Sequence, residues 1–400
     1  MVILLRCHLP QMDLNYDILY LVMSVSKKKE ISAMMKTCKL LNIEGAKVLL
    51  SRMITLSSEK ALLSFMAFML GGSEEEFDRF GHPLWVLISA DSLSAQAAVL
   101  LRDFLYDYGH LLWFRGLTLT HAEHLLAADP HLPEAFTYIG FIHYISLSHA
   151  GSQVRAMFQE MRTEIYDVKV SFNLRDDNYR FLPDDYQNNP ILVLAPLRDT
   201  LDSVSGTWGA TDTVHGVYEG IVYPNVDKLS LHTKDPIHVP HYVHAFPNVV
   251  DLSVSTTCEY MFTDEHILAV HGQWRDINKA AQQANGSWSR LERFEGNVLE
   301  WWALALDCKV ERIEVSDLRH WHFPIFGELL RIARPKYLVV DVRASMAVLE
   351  EFGTLFSQQS TPFLAGLRLD LSFDPPDREE LDANKLLVSY QFAPRCSCTY

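Results

Sequence analysis

The sequence lacks any long apolar run. Although 48% of its 400 residues are hydrophobic, no window approaches the roughly eighteen uninterrupted apolar residues that a membrane-spanning helix needs. The opening stretch MVILL is too short for the apolar core of a secretion signal. We therefore expect an intracellular protein, in the cytoplasm or the nucleus, with no membrane partner.

Cysteine is scarce and dispersed. Only the last two of the six cysteines lie close together in the sequence, so we expect reduced intracellular thiols and no disulfide framework. By the same reasoning, the glycosylation sequon at Asn285 should stay unmodified. The cysteines are Cys7, Cys38, Cys258, Cys308, Cys396 and Cys398.

Positive charge is in deficit. The chain has 35 Lys and Arg residues against 50 Asp and Glu residues, which gives a formal net charge of -15. Binding to a nucleic acid backbone depends on clustered Lys and Arg, so no nucleic acid partner is expected. The negative balance is compatible with a basic protein partner, and it also keeps a protein soluble.

Catalytic motifs are missing as well. The sequence has no G-x-S-x-G, no P-loop lysine, no G-x-G-x-x-G and no H-E-x-x-H, so neither an enzyme nor a cofactor is expected. The segment HTKDPIHVPHYVH is rich in histidine, but Pro236 and Pro240 argue against a regular helix. We predict a loop between strands there and no metal site. Its histidines are His232, His238, His241 and His244.

A repeat is present instead. The stretch YPNVDKLSLH begins at Tyr223, and FPNVVDLSVS begins at Phe246. Both copies place an apolar residue, two variable residues, an apolar residue, one polar residue and an apolar residue in the same order. The last two apolar positions are two residues apart, so they share one face of a β-strand. The apolar positions are Val226, Leu229 and Leu231, and then Val249, Leu252 and Val254.

The same template recurs along the chain. Successive middle residues lie about 19 to 36 positions apart, with one gap of about 42, and the intervals bring apolar residues back at helical spacing. This pattern predicts an α/β fold, an irregular leucine-rich-repeat solenoid with a curved parallel sheet and outer helices. The alternative is an ordinary α/β domain with similar strand spacing. The further middle residues are Leu117, Ile145, Val168, Val204, Phe294, Ile313, Leu338 and Leu367, with weaker matches at Ile54 and Leu87.

The N-terminal segment is organised differently. Between Leu14 and Leu50 three short helical periods are separated by SVSKKK and KTCK. In the first period Ile18, Leu19, Val22 and Met23 form one apolar stripe. Three helices in fewer than about forty residues make a marginal core, which usually packs on a partner or on adjacent structure.

This segment resembles the F-box, a domain that precedes leucine-rich repeats in substrate receptors of cullin-RING ubiquitin ligases. The stretch LNYDIL from Leu14 and the stretch TCKLL from Thr37 match the two ends of the F-box pattern, most closely as in the divergent F-box proteins of mushroom-forming fungi. Asn15 stands where the pattern has Pro, and Thr37 stands where it has Val.

The resemblance implies that the head docks on a Skp-type adaptor, and through it on a cullin, while the repeats hold a protein substrate. Docking would follow helix-in-groove recognition. The alternative is that the same apolar residues pack on the repeats as a cap. The implied adaptor-binding residues are Leu14, Ile18, Leu19, Val22, Met23, Ile31, Cys38 and Leu41.

Substrate binding is expected on the variable strand positions, which would line one face of the sheet. Trp208, Trp274 and Trp288 are further candidates because they fall in irregular insertions, whereas Trp301 and Trp302 are expected in the core. The candidate substrate-binding residues are Ser230, His232, Ser253, Ser255, Glu314, Ser316, Arg368 and Asp370.

Three regions follow from these patterns. An F-box-like helical domain spans 12–50, the repeat region spans 51–373, and a polar, flexible tail spans 374–400. The leading functional hypothesis is a non-catalytic substrate receptor of a ubiquitin ligase. The alternative is a repeat scaffold that binds proteins without entering a ligase.

Overall fold

The computed structural model of the protein describes residues 16–71, 79–173, 187–209, 220–233, 236–256, 264–343 and 363–372. Three helices open this part of the chain: α1 (Tyr16–Val25), α2 (Lys28–Met35) and α3 (Lys39–Leu50). The predicted three-helix segment is therefore present from Tyr16 onward. Leu14 and Asn15, like the predicted tail at 374–400, lie outside the described residues.

The rest of the fold is built on one parallel sheet. Its twelve strands are all parallel and follow one another in sequence order, so each strand pairs with its neighbours along the chain. An α/β fold is thereby confirmed. The strands are β1 (Met53–Leu56), β2 (Pro83–Ile88), β3 (Trp113–Leu119), β4 (Phe141–Ala150), β5 (Ile165–Phe172), β6 (Ser203–Thr207), β7 (Lys228–Thr233), β8 (Asp251–Thr256), β9 (Arg290–Asn297), β10 (Lys309–Leu318), β11 (Tyr337–Arg343) and β12 (Gly366–Ser372).

Helices connect most of these strands. The longest, α11, has 22 residues and accounts for the wide gap between β8 and β9. Neighbouring parallel strands run in the same direction, so the chain must return from the end of one strand to the start of the next. A tight turn cannot span that distance, and a crossover helix does. The helices are α4 (Glu59–Leu70), α5 (Ala95–Tyr108), α6 (Ala122–Leu126), α7 (Leu132–Phe136), α8 (Ser152–Glu160), α9 (Pro190–Val193), α10 (Val239–Ala245), α11 (Asp264–Asn285), α12 (Val298–Leu304) and α13 (Phe323–Ala333).

Side chains at the helix starts explain where several of these helices begin. Ser58 and Ser94 accept hydrogen bonds from backbone N–H groups in the first turns of α4 and α5. Asn297 and Glu300 form a reciprocal capping box at α12. Each cap satisfies a backbone donor that the helix itself leaves unpaired.

The middle residues of the sequence template form a continuous ladder through the sheet. Each lies directly opposite the next, from Ile54 on β1 to Leu367 on β12. The ten inner members are buried, and only the two edge members are half-buried. The predicted positions are confirmed on eleven of the twelve strands.

Strand β2 is the exception, because its ladder residue is Val86 and not the predicted Leu87. Leu84 pairs with Phe114, but Val86 pairs with Leu117, so β3 carries one extra residue at this point. The bulge means that β2 has one variable residue between its buried positions where the template expects two. Val86 is buried as a result, and Leu87 turns to the opposite face.

The two copies of the repeat also share contacts that the template does not contain. The Asn225 side chain donates a hydrogen bond of 2.7 Å to the carbonyl of Asp199, and Asn248 donates one of 2.7 Å to Pro224. The rings of Tyr223 and Phe246 stack with 4.6 Å between centroids. The repeated Asn side chains therefore join each copy to the preceding unit, and the two aromatic rings join the copies to each other.

Two sequence expectations about this region are wrong. The histidine-rich segment forms helix α10 with Pro240 in its first turn, where a missing N–H costs no helical hydrogen bond. Trp208 and Trp288 are buried in the main core, and Trp274 lies on α11, so none of the three sits on a binding loop. Trp301 is buried as expected, and Trp302 packs against the core.

Candidate functional site

The helical head has a small core of its own. Met23, Ile31 and Leu41 are buried in it together with Met35, Ala46 and Val48. Leu19 and Phe68, the latter from α4, pack against this cluster. The inner face of α1 is therefore used for folding the head.

The outer face of α1 is apolar and exposed. Ile18, Leu21, Val22 and Val25 are exposed by 52%, 63%, 44% and 78%. They fall at positions i, i+3, i+4 and i+7, which places them on one side of the helix. We call these four residues the α1 stripe. The stripe is therefore a continuous exposed apolar surface on the head, a feature found at many interaction sites.

The structure divides the predicted adaptor-binding residues into two groups. Ile18 and Val22 lie on the α1 stripe, Leu19 is half-buried, and the Cys38 thiol is exposed just before α3. Met23, Ile31 and Leu41 are inside the head and have almost no surface to offer. The residues that the sequence predicts as one stripe therefore lie on two faces of the head. The predicted set does not include the exposed Leu21 and Val25.

The head is fixed to the first edge of the sheet. Arg52, just before β1, donates hydrogen bonds to the carbonyls of Met23, Ser24 and Ser26 at the end of α1. Lys28 Nζ donates to the carbonyl of Met53 at 3.0 Å. The last carbonyls of a helix have no hydrogen-bond donor within the helix, and the Arg52 guanidinium supplies one at the end of α1. The head and the sheet are therefore joined by polar contacts as well as by packing.

One face of the sheet is left open by the helices. Ladder residues point into the core, while the residues between them are mostly half-buried or exposed. All eight predicted substrate-binding residues occupy such positions on the open face, and their binding role stays a prediction. Ser230 lies opposite Ser253, and His232 lies opposite Ser255. The His232 ring is hydrogen-bonded to the Ser255 hydroxyl.

The remaining predicted residues are spread over β10 and β12. Glu314 is held by Arg293 and Arg312 at 2.8 and 2.7 Å. These contacts lower the pKa of Glu314 and, from the other side, raise the pKa of Arg293. Ser316 is exposed, and Arg368 pairs with Asp370 at 3.1 Å. The eight residues therefore line a face from β7 to β12 and do not converge on one point.

An aromatic group on the open face was missed by the sequence reasoning. Trp85 and Tyr144 lie on either side of Gly116 in the sheet register, and their ring centroids are 6.1 Å apart. A Cβ at Gly116 would lie 2.3 Å from the Trp85 ring, so glycine is what lets the indole lie on the strand. The signal was available, because these residues occupy variable positions of the template.

Two side chains of the histidine-rich segment lie close together. His238 and His241 approach within 3.0 Å between ring nitrogens. Within the described ranges, no group of three or more His, Cys, Asp or Glu side chains is arranged to hold a metal ion.

None of the helices in the described part of the chain is both long enough and apolar enough to cross a membrane. A comparison with protein-family models gave no match, and a comparison with curated proteins gave none either.

Proposed function

We propose that this protein is the substrate-recognition subunit of a cullin-RING ubiquitin ligase. In this proposal the helical head docks on a Skp-type adaptor through the α1 stripe, and the open face of the sheet holds a protein substrate. The chain would contribute no catalytic residue, because the ligase chemistry belongs to its partners.

The repeat region is inferred to be a leucine-rich-repeat solenoid. The support is the ladder of template residues, one per strand, in a sheet whose strand order equals the sequence order. Stacked units of this kind share one continuous core and leave one sheet face free along their whole length. Such a face is suited to an extended protein ligand.

One observation carries the adaptor proposal, namely the exposure of the α1 stripe. Anchors at i, i+3, i+4 and i+7 are the pattern by which a helix binds in an apolar groove. Removing each large aliphatic side chain from water contributes about 1.5–3 kcal/mol. The four residues would thus supply a substantial part of the free energy of binding.

The test is co-expression with a Skp-type adaptor followed by a pull-down of the full chain. Ile18→Glu/Val22→Glu should abolish binding, because an unpaired carboxylate is costly to bury in an apolar groove. Ile277→Glu/Ile332→Glu is the matched control, since both isoleucines are exposed, by 40% and 44%, on helices α11 and α13. The control variant should bind like the unmodified chain.

The second candidate is a scaffold that binds proteins without entering a ligase. It is favoured by the burial of Met23, Ile31 and Leu41 and by the hydrogen bonds from Arg52, since both suit a head that caps the sheet. Failure of the unmodified, folded chain to bind the adaptor would support the scaffold. Equal loss of binding in both double variants would also argue against docking through α1.

A further inference from the structure

The open face is not uniform, and its first half carries an aromatic patch. We use this name for Trp85, Trp113, Phe141, Tyr144 and Tyr166, on strands β2 to β5. Trp113 meets Phe141 edge-on at 5.7 Å, and Phe141 lies 5.9 Å from Tyr166. Trp85 and Trp113 remain exposed by 37% and 45%. Aromatic side chains that are held by neighbours and still exposed are typical binding anchors.

Carboxylates border this patch at the N-terminal edge of β5 to β7. Asp167 is half-buried, while Glu164, Asp202 and Asp227 are exposed. We call these four residues the acidic margin. Each of them lies next to a buried core position, so they point away from the core. The margin touches the patch directly, because Tyr166 donates a hydrogen bond of 3.3 Å to Glu164.

The acidic margin is only partly neutralised. His143 Nε2 lies 3.9 Å from Asp167 Oδ2, and Lys228 is the lysine beside Asp202 and Asp227. Two further basic residues lie on the strands of the patch, Arg115 on β3 and Lys169 on β5, two residues after Asp167. The pKa of Asp202 is raised by partial burial and by the nearby charges of Asp227 and Asp167. A cation bound at this edge would relieve that repulsion.

We propose that the aromatic patch and the acidic margin together bind a Lys- or Arg-bearing segment of a partner protein. The aromatic faces attract a cation through their π-electrons, and the carboxylates pair with its charge. A negative surface on a chain of net charge -15 also speeds the approach of a basic partner. The inference rests on the proposed function, because it names the substrate class that the open face would select.

The second half of the open face differs from the first, because its carboxylates already contact arginine. On β8 to β10, Arg293 already contacts Asp251, Glu295 and Glu314 at 3.6, 2.8 and 2.8 Å. Carboxylates that have an arginine partner gain little from a second cation. Within the described strands, the aromatic patch and its acidic margin therefore combine apolar anchors with negative charge that has no arginine contact of this kind.

The test is fluorescence anisotropy of short dye-labelled peptides titrated with the full chain. One peptide alternates Lys and Arg with Ser, one replaces the basic residues by Glu, and one contains only uncharged residues. The basic peptide should bind at least about tenfold more tightly than the other two, since several carboxylates and aromatic faces act together. Equal binding of the uncharged peptide, or preference for the acidic one, would overturn the proposal.

Two pairs of variants locate the site. Asp167→Asn/Asp227→Asn should weaken binding of the basic peptide about fivefold to tenfold. Glu292→Gln/Glu311→Gln removes the same charge from β9 and β10, where both carboxylates have cationic partners, and should leave binding unchanged. Trp85→Leu should weaken binding about threefold, whereas Tyr337→Leu, an aromatic exposed by 49% on β11, should not.

Equal losses in the charge variant and its control would mean that only net charge matters, which would overturn the site. Adaptor binding of the unmodified chain separates this inference from the proposed function. If the unmodified chain binds the adaptor but does not prefer the basic peptide, only the basic-segment site is refuted. Peptide selectivity without any adaptor binding keeps the site and refutes the ligase role.

Discussion

The helical head and the parallel sheet bury their apolar side chains in different ways. The sheet has a ladder that continues through twelve strands, so each buried residue is packed by equivalents from the units before and after it. The head core has six buried residues, three of which are the small or flexible Met23, Met35 and Ala46. The comparison teaches that the sheet is stable through repetition, whereas the small head core also depends on contacts with Arg52 and Phe68.

The largest expected effect is in the ladder. Phe294→Ala removes a fully buried ring from the centre of the sheet core and should lower the free energy of unfolding by about 3–5 kcal/mol. The measurement is chemical denaturation followed by circular dichroism. Leu21→Ala on the exposed side of α1 is the contrasting variant and should change stability by less than about 0.5 kcal/mol. Similar losses in both would contradict the contrast between core and stripe.

The next effect is confined to the head. Gly45→Val would place its Cβ 2.3 Å from Met35 Cγ and 2.6 Å from Met23 Cε, so the small core must expand at a cost of about 1–3 kcal/mol. Amide hydrogen exchange should become faster in α1 to α3 and stay unchanged in the sheet. Gly272→Val on α11, where the nearest contact is 3.3 Å, should leave exchange in the head as it was.

A smaller effect is expected where successive units are joined. Asn225→Ala and Asn248→Ala each remove one side-chain hydrogen bond to the preceding unit and should cost about 1 kcal/mol. Because the two bonds occupy equivalent places in the repeat, the two losses should be similar in thermal denaturation. A loss at one position only would mean that the repeat is not structurally regular there.

The smallest effect is a pH dependence on the open face. The folded-state pKa of Glu314 lies below its ordinary value of 4.5, chiefly through hydrogen bonding to Arg293. A depressed pKa contributes stability that is present above the unfolded-state value and is lost as the pH falls through the folded-state value. In Glu314→Gln the free energy of unfolding should therefore decrease less steeply as the pH falls below about 4.5. An unchanged pH profile would show that the Arg293 contact contributes nothing.

Much of the sheet could be predicted from the sequence, because a buried strand face imposes a strict order of apolar residues. Leu229, Leu252 and Phe294 were found this way, and they do lie opposite one another. The bulge between β2 and β3 could not be predicted, because Val86 and Leu87 are both apolar and the sequence does not show which of them is the ladder residue. Helix α10 was not predicted, because a proline is tolerated only in the first turn of a helix and the sequence alone did not show that Pro240 lies there.

The candidate sites were less accessible to sequence reasoning. The apolar residues from Ile18 to Met23 cover every side of α1, so the sequence does not show which side faces the core of the head. Packing by Ile31 and Leu41 decides that, and it leaves Leu21 and Val25 outside. The variable template positions of Trp85 and Tyr144 could be read from the sequence, but their contact across Gly116 depends on the register of three neighbouring strands, which the bulge in β3 shifts.

The most direct test of the account is amide hydrogen exchange of the full chain, alone and with a Skp-type adaptor. We predict slower exchange in α1 on addition of the adaptor, with no change in the strands of the open face. The head would then be an interface in its own right, separate from the substrate side. Unchanged exchange in α1, with the unmodified chain folded, would contradict adaptor docking through the α1 stripe and leave the head as a cap of the sheet.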